Sequence, residues 1–214
     1  MIEPGRAALL MIDMQNGFID AASPLCVAGA AATVPACARA LRAAREQGMA
    51  VVHVRRRYAA DGSDVEPVRY RCWADGGRPL CVEGDDPASL DCPDALTPAD
   101  GERVLVKPSF SAFFGTPLGA LLQREGIGSV VLIGTTTPNC IRSTCYDALS
   151  LGLNTVVVED ATSSRTPEVQ AANIADMAYV GASVLTVGEL CEHGLAAVPD
   201  VAGQWRAAVA AARA

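Results

Sequence analysis

The sequence has no apolar run long enough to span a bilayer, no surplus of basic residues and no Cys-x-x-Cys pair, and only two of its 214 residues are histidine. Each shortage removes a class of function. The apolar run Ala7–Ile12 falls far short of the roughly 20 residues a membrane helix needs, and Met1–Arg6 lacks the basic stretch that opens an export signal. A cytoplasmic chain with no membrane partner is expected. Seventeen Lys and Arg stand against 24 Asp and Glu, a formal net charge of −7. Phosphate-backbone binding needs clustered cations, so no nucleic-acid partner is expected and a small soluble substrate fits better. The eight cysteines are scattered. In a chain able to fold by burial they read as reduced thiols acting as small hydrophobes, not as a disulfide frame or a zinc site.

What is present is a half-apolar chain able to bury a sizeable core, and one domain over residues 1–214 is the expectation. Short β-branched or Leu-rich runs at Ala7–Met14, Met49–Val54, Arg103–Val106, Ser129–Ile133, Thr155–Val158 and Ser183–Val187 read as buried parallel strands. Helix patterns at Ala31–Gln47, Thr116–Arg124, Pro138–Leu151, Pro167–Val180 and Ala202–Ala212 alternate with them. That alternation predicts an α/β fold, a three-layer α/β/α sandwich. Thr137-Pro138 and Thr166-Pro167 each place a hydroxyl before a proline at a helix start, and Gly152 and Gly181 sit where helices end. Arg55–Gly101, rich in Asp, Gly, Pro and Arg, breaks the pattern and reads as a long insertion, either a lid or a structural excursion.

Ligands of open parallel sheets bind beyond the carboxyl ends of the strands. Three reactive side chains fall there: Asp13 in LLMIDMQNGF, Lys107 in VLVKPSFSAFF and Cys140 in VVLIGTTTPNCIRSTCYDA. The run Thr137-Pro138-Asn139-Cys140 places the thiol in the first turn of a helix, where unpaired amides and the positive dipole end are expected to lower its pKa. The same amides can hold a developing oxyanion.

These motifs, DMQNGF, VKPSFSAFF and GTTTPNC...TCYDA, resemble those of the isochorismatase-like cysteine hydrolases over nearly the whole chain. The resemblance implies a six-stranded parallel sheet and an Asp13–Lys107–Cys140 triad. It also implies a cis peptide joining Thr135 to Thr136, an oxyanion hole made by the Thr136 and Cys140 amides, and a homodimer or homotetramer. Nicotinamidases of the superfamily carry two His and an Asp that hold a metal. Here His53 is followed by Asp61, Asp64 and Glu66 but no second imidazole, so no metal or other cofactor is expected, and His53 reads as a satisfied strand histidine.

The expected activity is cysteine-dependent hydrolysis of a small amide, ureido or N-carbamoyl substrate through a thioester. Phe18, Phe110, Phe113, Phe114, Trp73 and Tyr146 are candidate pocket walls, with Thr135 beside the nucleophile. Arg69 and Arg71, in the insertion, are candidates to grip a substrate carboxylate. Alternatives are a vinyl ether hydrolase of the isochorismatase type, a nicotinamidase, or a non-catalytic binding or scaffolding subunit. A Cys140–Cys145 redox pair is disfavoured, since five residues along a helix turn two side chains about 140° apart.

Overall fold

The structure is a computed structural model and describes residues 1–213. Six strands form one all-parallel sheet: β1 (Ala7–Ile12), β2 (Ala50–Arg56), β3 (Arg103–Lys107), β4 (Ser129–Thr135), β5 (Asn154–Ser163) and β6 (Ser183–Leu185). Their order across the sheet is β3-β2-β1-β4-β5-β6. The chain winds one way through β1, β2 and β3, then crosses back and winds the other way. The two directions part between β1 and β4, which is where a crevice opens at the strand ends in such sheets.

Eight α-helices accompany the strands: α1 (Asn16–Ile19), α2 (Ala30–Glu46), α3 (Tyr70–Asp75), α4 (Leu118–Arg124), α5 (Arg142–Ser150), α6 (Pro167–Tyr179), α7 (Val187–His193) and α8 (Val201–Ala212). The period of two along β1 sends Ala7, Leu9 and Met11 toward α2 and α7, and Ala8, Leu10 and Ile12 toward α4, α5 and α6. All six residues of β1 are buried, as expected for a central strand covered on both faces. Each such Leu or Ile stabilises the fold by roughly 1.5–3 kcal/mol relative to exposure. The three-layer α/β/α sandwich is thus as read from the sequence, and its sheet has the six parallel strands that the resemblance implied.

Several boundaries differ from the expectation, each for a local reason. The strand expected to run to Val187 stops at Leu185, because Thr186 and Glu189 form a reciprocal capping box that starts α7. The expected helix from Pro138 opens instead with a single π turn, Thr137–Ile141, before α5. Thr137 is not its cap: its hydroxyl donates to the Ser163 carbonyl at 2.9 Å, tying this turn to the end of β5. The other Thr-Pro start holds, the Thr166 hydroxyl accepting the Val169 amide at the head of α6. The insertion carries α3, two 3-10 turns and a small core of its own, in which Trp73, Tyr58, Val65, Leu80 and Cys81 pack around Phe18. Among the described residues no helix is long and apolar enough to cross a membrane.

Candidate active site

Asp13 follows β1, Lys107 ends β3 and Cys140 sits in the turn after β4, so the fold carries all three to one end of the sheet. Asp13 adopts a left-handed backbone, φ 54°, while its amide still donates to the Val54 carbonyl at 2.9 Å. That conformation costs a non-glycine residue about 1 kcal/mol, and Asp tolerates it better than most. It turns the carboxylate out of the sheet register and over the crevice. Gly134 does the equivalent for β4: with φ 112°, a Cβ here would lie 2.1 Å from the Ile12 carbonyl oxygen. Only glycine lets the two central strands close up at this level, immediately before the cis peptide between Thr135 and Thr136.

β3 lies two strand spacings from β1, roughly 10 Å, so only a long side chain from β3 reaches the crevice. Lys107 does so. Its ammonium stands 2.8 Å from Asp13 Oδ2, donates to the Ser109 carbonyl at 2.9 Å and lies 3.5 Å from Cys140 Sγ. Asp13, Lys107 and Cys140 are all at most 2 % exposed. Burial works against the charge of Lys107, but Asp13 and then Cys140 raise its pKa in net, so it is an ammonium. Neither oxygen of Asp13 has a well-aligned hydrogen-bond donor. Buried polar atoms are ordinarily hydrogen-bonded, so this carboxylate keeps acceptor capacity open beside the thiol and the ammonium.

The Cys140 thiol is pushed up to about 12, first by burial and then by the neighbouring Asp13 charge, against the opposing pull of Lys107 and Arg69. This corrects the expectation that the helix start lowers the pKa. Full desolvation and an adjacent carboxylate outweigh the dipole of one turn. Cys145, the other half of the disfavoured redox pair, is buried in the core under α5, and both sulfurs are free thiols.

Around the thiol, the Asn139 and Ile141 amides both donate to the Thr136 carbonyl. The Thr135 hydroxyl oxygen accepts from Ser163 Oγ at 2.9 Å, and the Thr136 hydroxyl donates to the Ser163 carbonyl, so β5 braces this turn. Of the sequence-chosen pocket residues, Arg69 and Phe18 come together: the guanidinium lies over the rings of Phe18 and Phe110, at 5.7 and 5.3 Å, and Phe110 packs against the apolar cluster that includes Cys140. Phe113 and Tyr146 do not join them, and Trp73 is fully buried in the Phe18 cluster. The Trp73 indole donates to Pro79 O and packs on Tyr58 and Tyr70 inside the insertion. Phe113 is half-buried against the core at α4, and Tyr146 donates to Asp176 on α6. Aromatic type alone selected them. Phe114 and Arg71 are exposed.

Sequence reading passed over Arg56 and Tyr58 as site residues and weighed Glu66 only as a metal ligand. Arg56 is 1 % exposed, and its guanidinium donates to the Lys107 carbonyl at 3.1 Å while stacking on Tyr58 at 4.0 Å. The pattern of β2, where Arg56 falls on a buried position after Val52 and Val54, is the one signal that marked it. The residues considered for a metal do not fit one. His53 Nε2 is 2.7 Å from Glu102, Asp61 accepts the Ser63 amide in its own turn, and Asp64 accepts the Ala59 amide.

Residues 7–189 match the Isochorismatase domain in a comparison with known protein families. The chain belongs to the isochorismatase family of hydrolases. Among relatives in this family, a protein of Arabidopsis thaliana named "Probable inactive nicotinamidase" is 38% identical over 189 residues, covering 88% of this chain and 96% of its own length. The maleamate amidohydrolase of Pseudomonas putida is 37% identical over 180 residues, covering 80% of this chain and 79% of that protein. A crystal structure of an isochorismatase family protein from Desulfovibrio vulgaris superposes with a TM-score of 0.81 at 44% identity, covering 86% of this chain and 96% of that one. The six-stranded parallel sheet with its flanking helices is therefore an isochorismatase-family fold.

Proposed function

We propose that this isochorismatase-family hydrolase cleaves a small amide, ureido or N-carbamoyl substrate through a thioester on Cys140. The observation that carries the reading is the meeting of three strand ends in one buried cluster, with Lys107 Nζ 2.8 Å from Asp13 and 3.5 Å from Cys140 Sγ. Because the resting sulfur holds its proton, attack and deprotonation go together. Asp13 takes the proton as the sulfur bonds to the carbonyl carbon. The oxyanion rests on the Thr136 and Cys140 amides, the neighbouring Asn139 and Ile141 amides being occupied by the Thr136 carbonyl. Asp13 then passes the proton to the departing nitrogen, and ammonia or an amine leaves. In the second half Asp13 takes a proton from water, hydroxide adds to the thioester carbon, and collapse expels the sulfur, which recovers the proton. Lys107, 2.8 Å from Asp13, keeps the carboxyl group aimed through both half-reactions.

The maleamate amidohydrolase relative supports an amide bond as the target, while the Arabidopsis relative named inactive supports a non-catalytic rival. Ammonia release over a panel of N-carbamoyl amino acids, ureides, primary amides including maleamate, and nicotinamide separates the two. The expected outcome is turnover of at least one open-chain amide or ureide, an acyl adduct on Cys140 by mass spectrometry, and loss of both in C140A with the fold intact. Turnover retained in C140A, or none by the wild type over the whole panel, sinks the proposal.

A further inference from the structure

Beside the triad lies a second buried charge cluster that the mechanism leaves unused. The Tyr58 hydroxyl donates to Glu66 Oε2 at 2.7 Å and accepts a long bond from Arg69 Nη1 at 3.5 Å, with Arg69 Nη1 itself 4.0 Å from Glu66 Oε2. Glu66 is 9 % exposed, and its second oxygen lacks a hydrogen-bond donor, facing Arg56 Nε at 3.5 Å. Tyr58 therefore stands between two guanidinium groups, Arg56 against its face and Arg69 at its hydroxyl.

The pairing is uneven. Lys107, Arg56 and Arg69 face only Asp13 and Glu66 inside the cluster. Asp64, 3.6 Å from Arg56, adds a carboxylate that is 37% exposed and lies on the Arg56 side. Arg69 is the cation left short. A guanidinium has five donors, and among the described residues Arg69 forms one long hydrogen bond. It is nonetheless held in place over Phe18 and Phe110, the latter packed against the apolar cluster that includes Cys140. The Arg69 side chain is 17% exposed, so its open donors are left to solvent that a ligand carboxylate can displace.

We propose that Glu66 and Tyr58 are positioning residues that hold the Arg69 guanidinium, between Phe18 and Phe110, as the receptor for a carboxylate on the substrate. The inference rests on the hydrolase reading and names its substrate class, an amide or ureide bearing one carboxylate. The remaining guanidinium donors pair with that carboxylate, while Glu66 and Tyr58 prevent the long side chain from swinging away.

Alkylation of Cys140 by iodoacetate and by iodoacetamide tests this whatever the substrate turns out to be. The two reagents place an anion and a neutral amide at the same distance from the reacting carbon, and any change in thiol pKa cancels in their ratio. Peptide mapping reads Cys140 and, as an internal standard, the exposed Cys72. The expected iodoacetate-to-iodoacetamide rate ratio at Cys140 exceeds that at Cys72 by about tenfold or more. It falls to the Cys72 value in R69M and part-way in E66Q and Y58F, and Y58F keeps the test available should E66Q not fold. A wild-type ratio no higher than that of Cys72, or one unchanged in R69M, overturns the inference while the hydrolase reading stands. A ratio that rises in E66Q assigns Glu66 to charge screening and overturns its positioning role. Cys140 inert to both reagents in the folded protein overturns the hydrolase reading, and this inference with it.

Discussion

Two largely buried carboxylates face cations on this half of the sheet, and they are treated in opposite ways. Glu102, at the start of β3, is saturated: Arg45 Nε and Nη2 donate to its two oxygens at 2.7 and 2.9 Å, the Ala99 amide donates at 2.8 Å and His53 Nε2 lies 2.7 Å away. Burial works against its charge, yet Arg45, Ala99 and His53 together pull its pKa down to about 2. Asp13, over the crevice, has a single ammonium beside it and no well-aligned donor on either oxygen. The first arrangement minimises the free energy of a charged group and makes it inert. The second leaves acceptor capacity open at a dry position, which is a cost to stability that a proton-transfer role explains.

The comparison breaks or sharpens by exchanging each carboxylate for its amide. In D13N, hydrolysis of any substrate found by the panel is expected to drop by roughly 10²–10⁴-fold, since in the proposed mechanism one group serves both half-reactions. Folding stability is expected to fall by about 3 kcal/mol as well, because Lys107 is left as an unpaired buried cation. Activity within a factor of two of wild type breaks the assignment. E102Q is expected to lose about 1–3 kcal/mol in urea unfolding, for its charge-assisted bonds, at unchanged kcat/KM. If its kcat/KM falls in step with stability, Glu102 is not an inert partner.

The smallest expected effect is on pH dependence. Glu102 has a folded pKa below its ordinary value, so the stability it contributes is complete above about pH 4.5 and disappears as pH falls toward about 2. Burial lowers the pKa of His53, which adds a loss in the same direction once pH drops below about 6.5. Wild type and E102Q unfolding curves are therefore expected to converge between pH 4.5 and 2. Parallel curves across that window remove the pairing argument.

Much of the fold was legible because its signals are local. An apolar run such as Val130–Ile133, a Thr-Pro start such as Thr166-Pro167 and a glycine end such as Gly152 each act within a few residues. Asp13, Lys107 and Cys140 were legible for the same reason, each being one reactive side chain at the end of such a run. Failures came where the deciding partner is distant in the chain. The thiol of Cys140 was read from its own turn, but its pKa is set by burial and by a carboxylate 127 residues earlier. Trp73 and Tyr146 were chosen as aromatics, and only their bonds to Pro79 and Asp176 reveal them as packing residues.

By itself, then, the sequence determined the strand–helix alternation and which chemical groups stand at the strand ends, since periodicity and backbone preference are properties of short segments. The tertiary structure decided that β1 and β4 are neighbours, that Lys107 spans β2 to reach Asp13, and that buried Arg56 and Glu66 meet a half-buried Arg69. Burial and charge pairing are sums over side chains brought together from β1, β2, β3 and the 55–101 insertion, and no single stretch of the chain contains those terms.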